Sequence, residues 1–143
     1  MSTKEKPIEN QFIDYIVNVL GGYCVKIHSG KIKVIKNDYG AWNKGKTYSN
    51  WMILAPKGTP DLNSIIQSRP VLIEVKKSEE EVKRWHRIID RYLKGDRKES
   101  NMREYAQYEQ MIKASKAGAV CIIAGSLNQL KEDLKANGFK NII

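Results

Sequence analysis

Cysteine is scarce in these 143 residues: Cys24 and Cys121 stand alone, and neither has a C-x-x-C partner. Two isolated thiols exclude the usual zinc and iron–sulfur frameworks. Each sits in an apolar stretch, which predicts two buried, reduced thiols in a cytoplasmic protein. Long hydrophobic runs are also missing. The longest apolar-plus-glycine stretch, Ala117 to Gly125, is too short to span a bilayer, so no membrane partner is expected. Met1 to Lys6 is polar and has no apolar h-region, which predicts no signal peptide. There is no internal repeat, low-complexity tract or interdomain linker, and the length fits one domain over 1–143. A chain of this size hides about 68–70% of its unfolded surface and folds without a metal or disulfide staple. Apolar residues at 41% and charged residues at 29% exclude the disordered and fibrous classes.

Acid is in deficit. Twenty-five Lys and Arg against sixteen Asp and Glu give a net charge of +9, which favours polyanionic partners. The surplus is concentrated. Between Lys31 and Lys57 stand six lysines (31, 33, 36, 44, 46 and 57) and one acid, Asp38. Tyr39, Trp42, Tyr48 and Trp51 lie among them. Phosphate neutralisation with base stacking calls for that mixture. A solvated hairpin with some core aromatics is the alternative.

Periodicity predicts the elements. Apolar residues at 8, 12, 15, 16, 19 and 20 give a first helix over Ile8 to Leu20, ended by Gly21-Gly22. Tyr23 to His28 reads as a strand, Ser29-Gly30 as a turn, and Lys31 to Ile35 as a half-buried strand. Asn37 to Ser49 is loop-like, Trp51 to Ala55 is short and apolar, and Pro56, Gly58 and Pro60 make a stiff turn region. Val71 to Val75 is the clearest buried strand. Helices are expected over Glu79 to Leu93, Arg103 to Lys116 and Leu127 to Ala136, with a strand at Ala119 to Ala124. This order predicts an α/β fold, a central mixed sheet with helices on both sides.

Glu74 does not suit a plain core strand. Side chains alternate along a strand, so Glu74 and Lys76 point the same way at its end. A buried carboxylate is costly unless paired or bound to a cation. A local Glu–Lys ion pair at a strand exit is the simpler account. Upstream, Gly58-Thr59-Pro60-Asp61 holds Asp61 at the mouth of a strand. If that strand pairs with the Glu74 strand, the two carboxylates converge. With one backbone carbonyl, Val75, they would form a hard-oxygen site suited to Mg²⁺ or Mn²⁺. Lys76 would then supply a point charge for a phosphate oxygen or an attacking water.

Pro60-Asp61 with Glu74-Val75-Lys76 resembles the PD-(D/E)xK nuclease superfamily. Gly58-Thr59-Pro60-Asp61, the Glu-x-Lys strand, Gln107 on a helix, then Gly118 and a strand resemble its virus-type replication-repair nuclease branch (VRR-NUC) and Holliday-junction-resolvase-like members. The resemblance runs from about Glu9 to Ala124. It implies a restriction-endonuclease-like core and a metal-dependent DNA endonuclease for branched substrates, with homodimerisation a possibility. It implies Asp61, Glu74, Val75 and the first-helix Glu9 as metal contacts. It also implies Gln107 as a residue that positions Lys76, the water or the phosphate. Taken alone, Glu9 reads as a solvated acid at a helix N-terminus and Gln107 as an exposed helix residue; Glu5 is the fallback for the first-helix metal contact. The spacing departs from a minimal member: 31 positions separate Lys76 from Gln107. The extra segment, about 78–102, reads as a basic helical insertion holding Arg84, Arg87 and Arg91. Together with Lys44, Lys46, Lys57 and Lys77 these are the expected DNA contacts; a solvated arm or a subunit contact is the other reading. His86 reads as a surface or phosphate contact and His28 as structural. A non-catalytic nucleic-acid-binding module on the same fold is the main rival. Asp61, Glu74 and Lys76 all being present speaks against it.

Overall fold

The structure, a computed structural model, describes residues 5–27, 30–38 and 46–143, with side chains over 6–27 and 55–143. The first helix, α1 (Glu5–Asp14), widens into a π turn over Tyr15–Val19 and ends at Gly21, whose φ of +67° suits glycine. Next come β1 (Tyr23–Lys26), β2 (Gly30–Asp38), β3 (Lys46–Ala55), β4 (Leu62–Ile66) and β5 (Arg69–Val75). The second half is α2 (Glu79–Leu93), a 3-10 turn (Glu99–Asn101), α3 (Met102–Lys116), β6 (Val120–Ala124) and α4 (Leu127–Ala136). β2 and β3 pair with each other as an antiparallel ribbon. They extend further than the alternation alone predicts, to Asp38 and back to Lys46, and so shorten the expected loop from both ends. The β-favouring residues Thr47, Tyr48 and Trp51 fall in the second strand.

The other four strands form one mixed sheet in the order β1-β4-β5-β6. β1–β4 and β4–β5 are antiparallel, and β5–β6 is parallel. β4 alternates strictly, with Leu62, Ser64 and Ile66 buried and Asn63 and Ile65 exposed. β5 is central and covered on both faces, which is why Val71 to Val75 reads as a continuous apolar run broken by one acid. Phe12 and Ile16 from the first helix and Leu130 and Leu134 from α4 pack on one face, against Leu62, Val71, Ile73, Val75 and Ile122. The other face is covered by α2 and α3. There Val82, Trp85, Ile88, Ile89 and Tyr105 close over Ile123. The segment 78–102 therefore has a buried inner stripe at helical spacing and an outer face carrying Arg84, Arg87 and Arg91; a solvated arm does not describe it.

The β4–β5 hairpin turns on Gln67 and Ser68, at φ of 51° and 63°. A two-residue turn with both centres left-handed matches strand twist but is ordinarily built from Gly, Asn or Asp. The Gln67 amide compensates by donating to the Lys140 carbonyl (2.6 Å) and accepting from its N–H (3.1 Å), which ties the chain end to the turn. The turn sets the register Leu62↔Ile73, and one step further along the ladder Asp61 meets Glu74. Both cysteines are free and half-buried rather than fully buried. Among the described residues no helix is long and apolar enough to cross a membrane.

Candidate active site

Asp61 is fixed before its side chain does anything. The Pro56–Thr59 turn is closed by the Thr59 N–H (3.1 Å) and Thr59 hydroxyl (2.6 Å), both donating to the Pro56 carbonyl. Within it Gly58 stands at φ +87°, and a Cβ there would run into the backbone of Ala106 and Gln107. Only glycine lets this turn press against α3 beside Gln107. The Asp61 carbonyl accepts from the Ile27 N–H (2.7 Å), which joins it to the end of β1. Its Oδ2 accepts from the Val75 N–H (2.9 Å) across the ladder.

Glu74 is 3% exposed and faces the α2–α3 layer. Its Oε1 accepts from Gln107 Nε2 (3.0 Å), and Lys76 Nζ stands 3.8 Å away. Gln107, also 3% exposed, is the hub. Its Oε1 accepts from Lys76 Nζ (3.1 Å) and from the Trp85 indole N–H (2.9 Å). Two donors on one side and a carboxylate on the other allow only one amide orientation. The exposed-helix reading of Gln107 is thus replaced by a buried amide linking Glu74, Lys76 and Trp85.

The electrostatics are those of crowded negative charge. Burial, and next the adjacent Asp61 carboxylate, push Glu74 up to about 8, against the opposing pull of Lys76 and Arg103. Two carboxylates in a half-dry site, with their cations insufficient to hold both ionised, have room for more positive charge. Asp61, Glu74 and the Val75 backbone are hard oxygen donors of the kind Mg²⁺ and Mn²⁺ take.

Glu9 is not brought to this pair. It is buried, but its Oε1 meets Lys26 Nζ at 3.2 Å; burial, and next the Glu9 carboxylate, push the neighbouring Cys24 thiol up to about 11. Cys24 and Lys26 are registered with Ser64 and Leu62, buried residues that alternate away from Asn63 and Ile65, the side on which Asp61 and Glu74 lie. Glu9 Oε2 is buried with no hydrogen-bond partner among the described residues. Among the described residues no group of three or more His, Cys, Asp or Glu side chains is arranged to hold a metal ion. Neither the solvated reading of Glu9 nor its assignment beside Asp61 and Glu74 matches this placement, because the helix face that carries it packs on the other side of the sheet.

Of the basic residues, Lys57, Lys77, Arg84, Arg87 and Arg91 are exposed. Arg84 is held by Glu104 (3.4 Å) and Glu81 (3.8 Å), and Lys77 faces Glu81 at 4.0 Å. The side chains of Glu5, His28, Lys31, Lys33, Lys36, Lys44 and Lys46 lie outside the described residues. His86 lines a separate cleft with Cys121, Gln129 and Asp133. Sequence reasoning missed the part played by Trp85 and by Arg103. The signals were present: Trp85 continues the inward stripe from Val82, and Arg103 is four residues before Gln107, on the same helix face. Comparison with family models, with curated proteins and with solved structures found no match for this chain.

Proposed function

We propose that this chain is a Mg²⁺- or Mn²⁺-dependent nuclease with a restriction-endonuclease-like core, of the PD-(D/E)xK type, hydrolysing phosphodiester bonds in DNA. The observation that carries the reading is the convergence of Asp61, Glu74, Lys76 and Gln107 at the carboxyl end of β5. The net charge of +9 supports a polyanionic substrate. Asp61, Glu74 and the Val75 carbonyl would hold the ion. When bound, a divalent ion polarises the phosphate and lowers the pKa of a coordinated water. Asp61 is pinned by the Val75 N–H, so its carboxylate is set before any ligand arrives. Lys76 is steered by the Gln107 carbonyl and carries its charge to the mouth of the site, where it stabilises negative charge on a phosphate oxygen and orients the attacking water. Gln107 holds Glu74 from the other side and keeps Lys76 from collapsing onto it. Branched DNA and a homodimer are the substrate form and assembly that the resemblance to replication-repair nucleases favours.

The deciding experiment incubates purified protein with branched, single-stranded and duplex DNAs in Mg²⁺, Mn²⁺ or EDTA. Cleavage with the ions and none with EDTA is expected, and Asp61→Ala should abolish it. Binding without cleavage under every ion would favour the non-catalytic nucleic-acid-binding module instead.

A further inference from the structure

The end of β5, the first turns of α2 and the first turn of α3 enclose a cavity of about 190 Å³. Four cations line it, Lys76, Lys77, Arg84 and Arg103, against two carboxylates, Glu81 and Glu104. Each carboxylate already holds a cation, though Glu104 Oε2 is buried with no hydrogen-bond partner among the described residues. Glu104 and Glu81 hold Arg84, and Glu81 also faces Lys77. Lys76 leans on Gln107. Arg103 is different: it is exposed, and among the described residues it has neither an ion-pair partner nor a side-chain hydrogen bond. It is close enough to Glu74 to be felt there electrostatically. A free guanidinium in a concave wall of net positive charge is suited to a phosphate, which its planar fork can grip with two N–H donors. The volume would also admit a nucleobase. The walls decide against that, since ions dominate them; the aromatic that does line the cavity, Trp85, is only 5% exposed and offers little face for a base to stack on.

We propose that this cavity binds a second backbone phosphate of the substrate strand, adjacent to the one that is hydrolysed, with Arg103 as its principal ligand. The inference rests on the nuclease reading and adds a substrate subsite to it. Lys76 belongs to both the cavity wall and the candidate active site, so a phosphate held here lies next to the reacting one. The segment 78–102 then contributes to the site itself: α2 supplies one wall of the subsite as well as the indole that holds Gln107.

The test uses a labelled DNA that the parent protein cuts at one linkage, with binding read by fluorescence anisotropy in Ca²⁺. Arg103→Ala should weaken binding about ten- to a hundred-fold and lower the log–log salt slope by about one phosphate's worth. Arg103→Lys should recover part of the loss, because it restores charge without the fork. A set of DNAs carrying one neutral methylphosphonate each locates the contact. The parent should lose affinity at a linkage next to the cut, and Arg103→Ala should lose nothing further there. Equal affinity of parent and Arg103→Ala, or equal sensitivity at every linkage, overturns the subsite.

A second readout does not depend on cleavage. Inorganic phosphate is titrated while the Trp85 indole N–H resonance is followed, assigned by its absence in Trp85→Phe. It should shift in the parent and not in Arg103→Ala. A shift without any cleavage by Mg²⁺ or Mn²⁺ would keep the subsite and remove the nuclease reading. Cleavage with no phosphate shift and no effect of Arg103→Ala would do the reverse.

Discussion

Two buried glutamates, Glu9 and Glu74, are equally hidden from water, at 2% and 3% exposure, yet their surroundings differ in kind. Glu9 has one carboxylate oxygen on Lys26, which is itself 36% exposed. Glu74 shares its site with Asp61, accepts from Gln107 and faces Lys76. A single ion pair offsets the charge of Glu9 but leaves its Oε2 buried with no hydrogen-bond partner among the described residues. A pair of carboxylates whose neighbouring cations do not hold both ionised is a site that gains from a divalent ion. Burial alone does not distinguish the two acids; the balance of negative and positive charge around each does.

The largest effect expected from breaking this contrast is at Asp61. Asp61→Ala should lower Mg²⁺-dependent cleavage by more than about a hundred-fold, since loss of even an outer-sphere partner costs about 10–100-fold at metal sites. Circular dichroism should show the fold intact. Next comes Lys76→Ala, which should lose about a hundred-fold or more in turnover while DNA affinity stays within a few-fold, because Lys76 is tied to Gln107 at the reacting phosphate, unlike the free guanidinium of Arg103. Single-turnover cleavage beside anisotropy separates the two. A large affinity loss with normal cleavage would make Lys76 a binding residue only.

A smaller effect is expected at Trp85. Trp85→Phe keeps an aromatic ring on the inner face of α2 but removes the N–H that fixes the Gln107 amide. Gln107 can then rotate away from Lys76 and Glu74. Turnover should fall roughly ten-fold, the size of one hydrogen bond of about 1.4 kcal/mol, with little change in DNA affinity. Equal cleavage by Trp85→Phe and the parent would make the indole a packing residue alone. Glu9→Gln sits at the bottom of the scale. It should cost about 1–2 kcal/mol of stability through the lost charge-assisted contact with Lys26, and leave cleavage unchanged.

The same contrast predicts a pH dependence. Glu74 binds its proton more tightly in the native state, where its pKa is raised from 4.5 to about 8, than in the unfolded chain. Its contribution to stability is therefore fully present below pH 4.5 and is lost as pH climbs toward 8. Thermal melts in EDTA across that range should show a falling midpoint that Glu74→Gln flattens. A midpoint that rises across the same range in the parent, matched by Glu74→Gln, would show that Glu74 is not under this strain.

Much of the frame could be read from residue order. The spacing marks helices at Glu79–Leu93 and Leu127–Ala136 with the bounds that the structure shows, where Ser78 and Ser126 cap the two N-termini. The Asp61–Glu74 approach was legible because Pro60 and a Glu interrupting an apolar strand are both local signals, and an antiparallel hairpin needs only a register to join them. What escaped depends on distance in the chain. The Trp85 indole meets Gln107 across 22 positions; the helical stripe places Trp85 on the inner face but does not say which residue it meets. Glu9 escaped for a different reason. Helical periodicity tells which residues share a face, but not which side of the sheet that face will cover. The β2 and β3 bounds were missed because charged and polar residues in a two-stranded ribbon dilute the alternation.

That Asp61 and Glu74, without Glu9, form the divalent site is tested most directly by calorimetric titration of Mn²⁺ into the parent, Asp61→Ala and Glu9→Gln. Binding is expected in the parent, no detectable heat in Asp61→Ala, and an isotherm for Glu9→Gln that overlays the parent's. Unchanged Mn²⁺ affinity in Asp61→Ala, or its loss in a folded Glu9→Gln, would contradict the assignment.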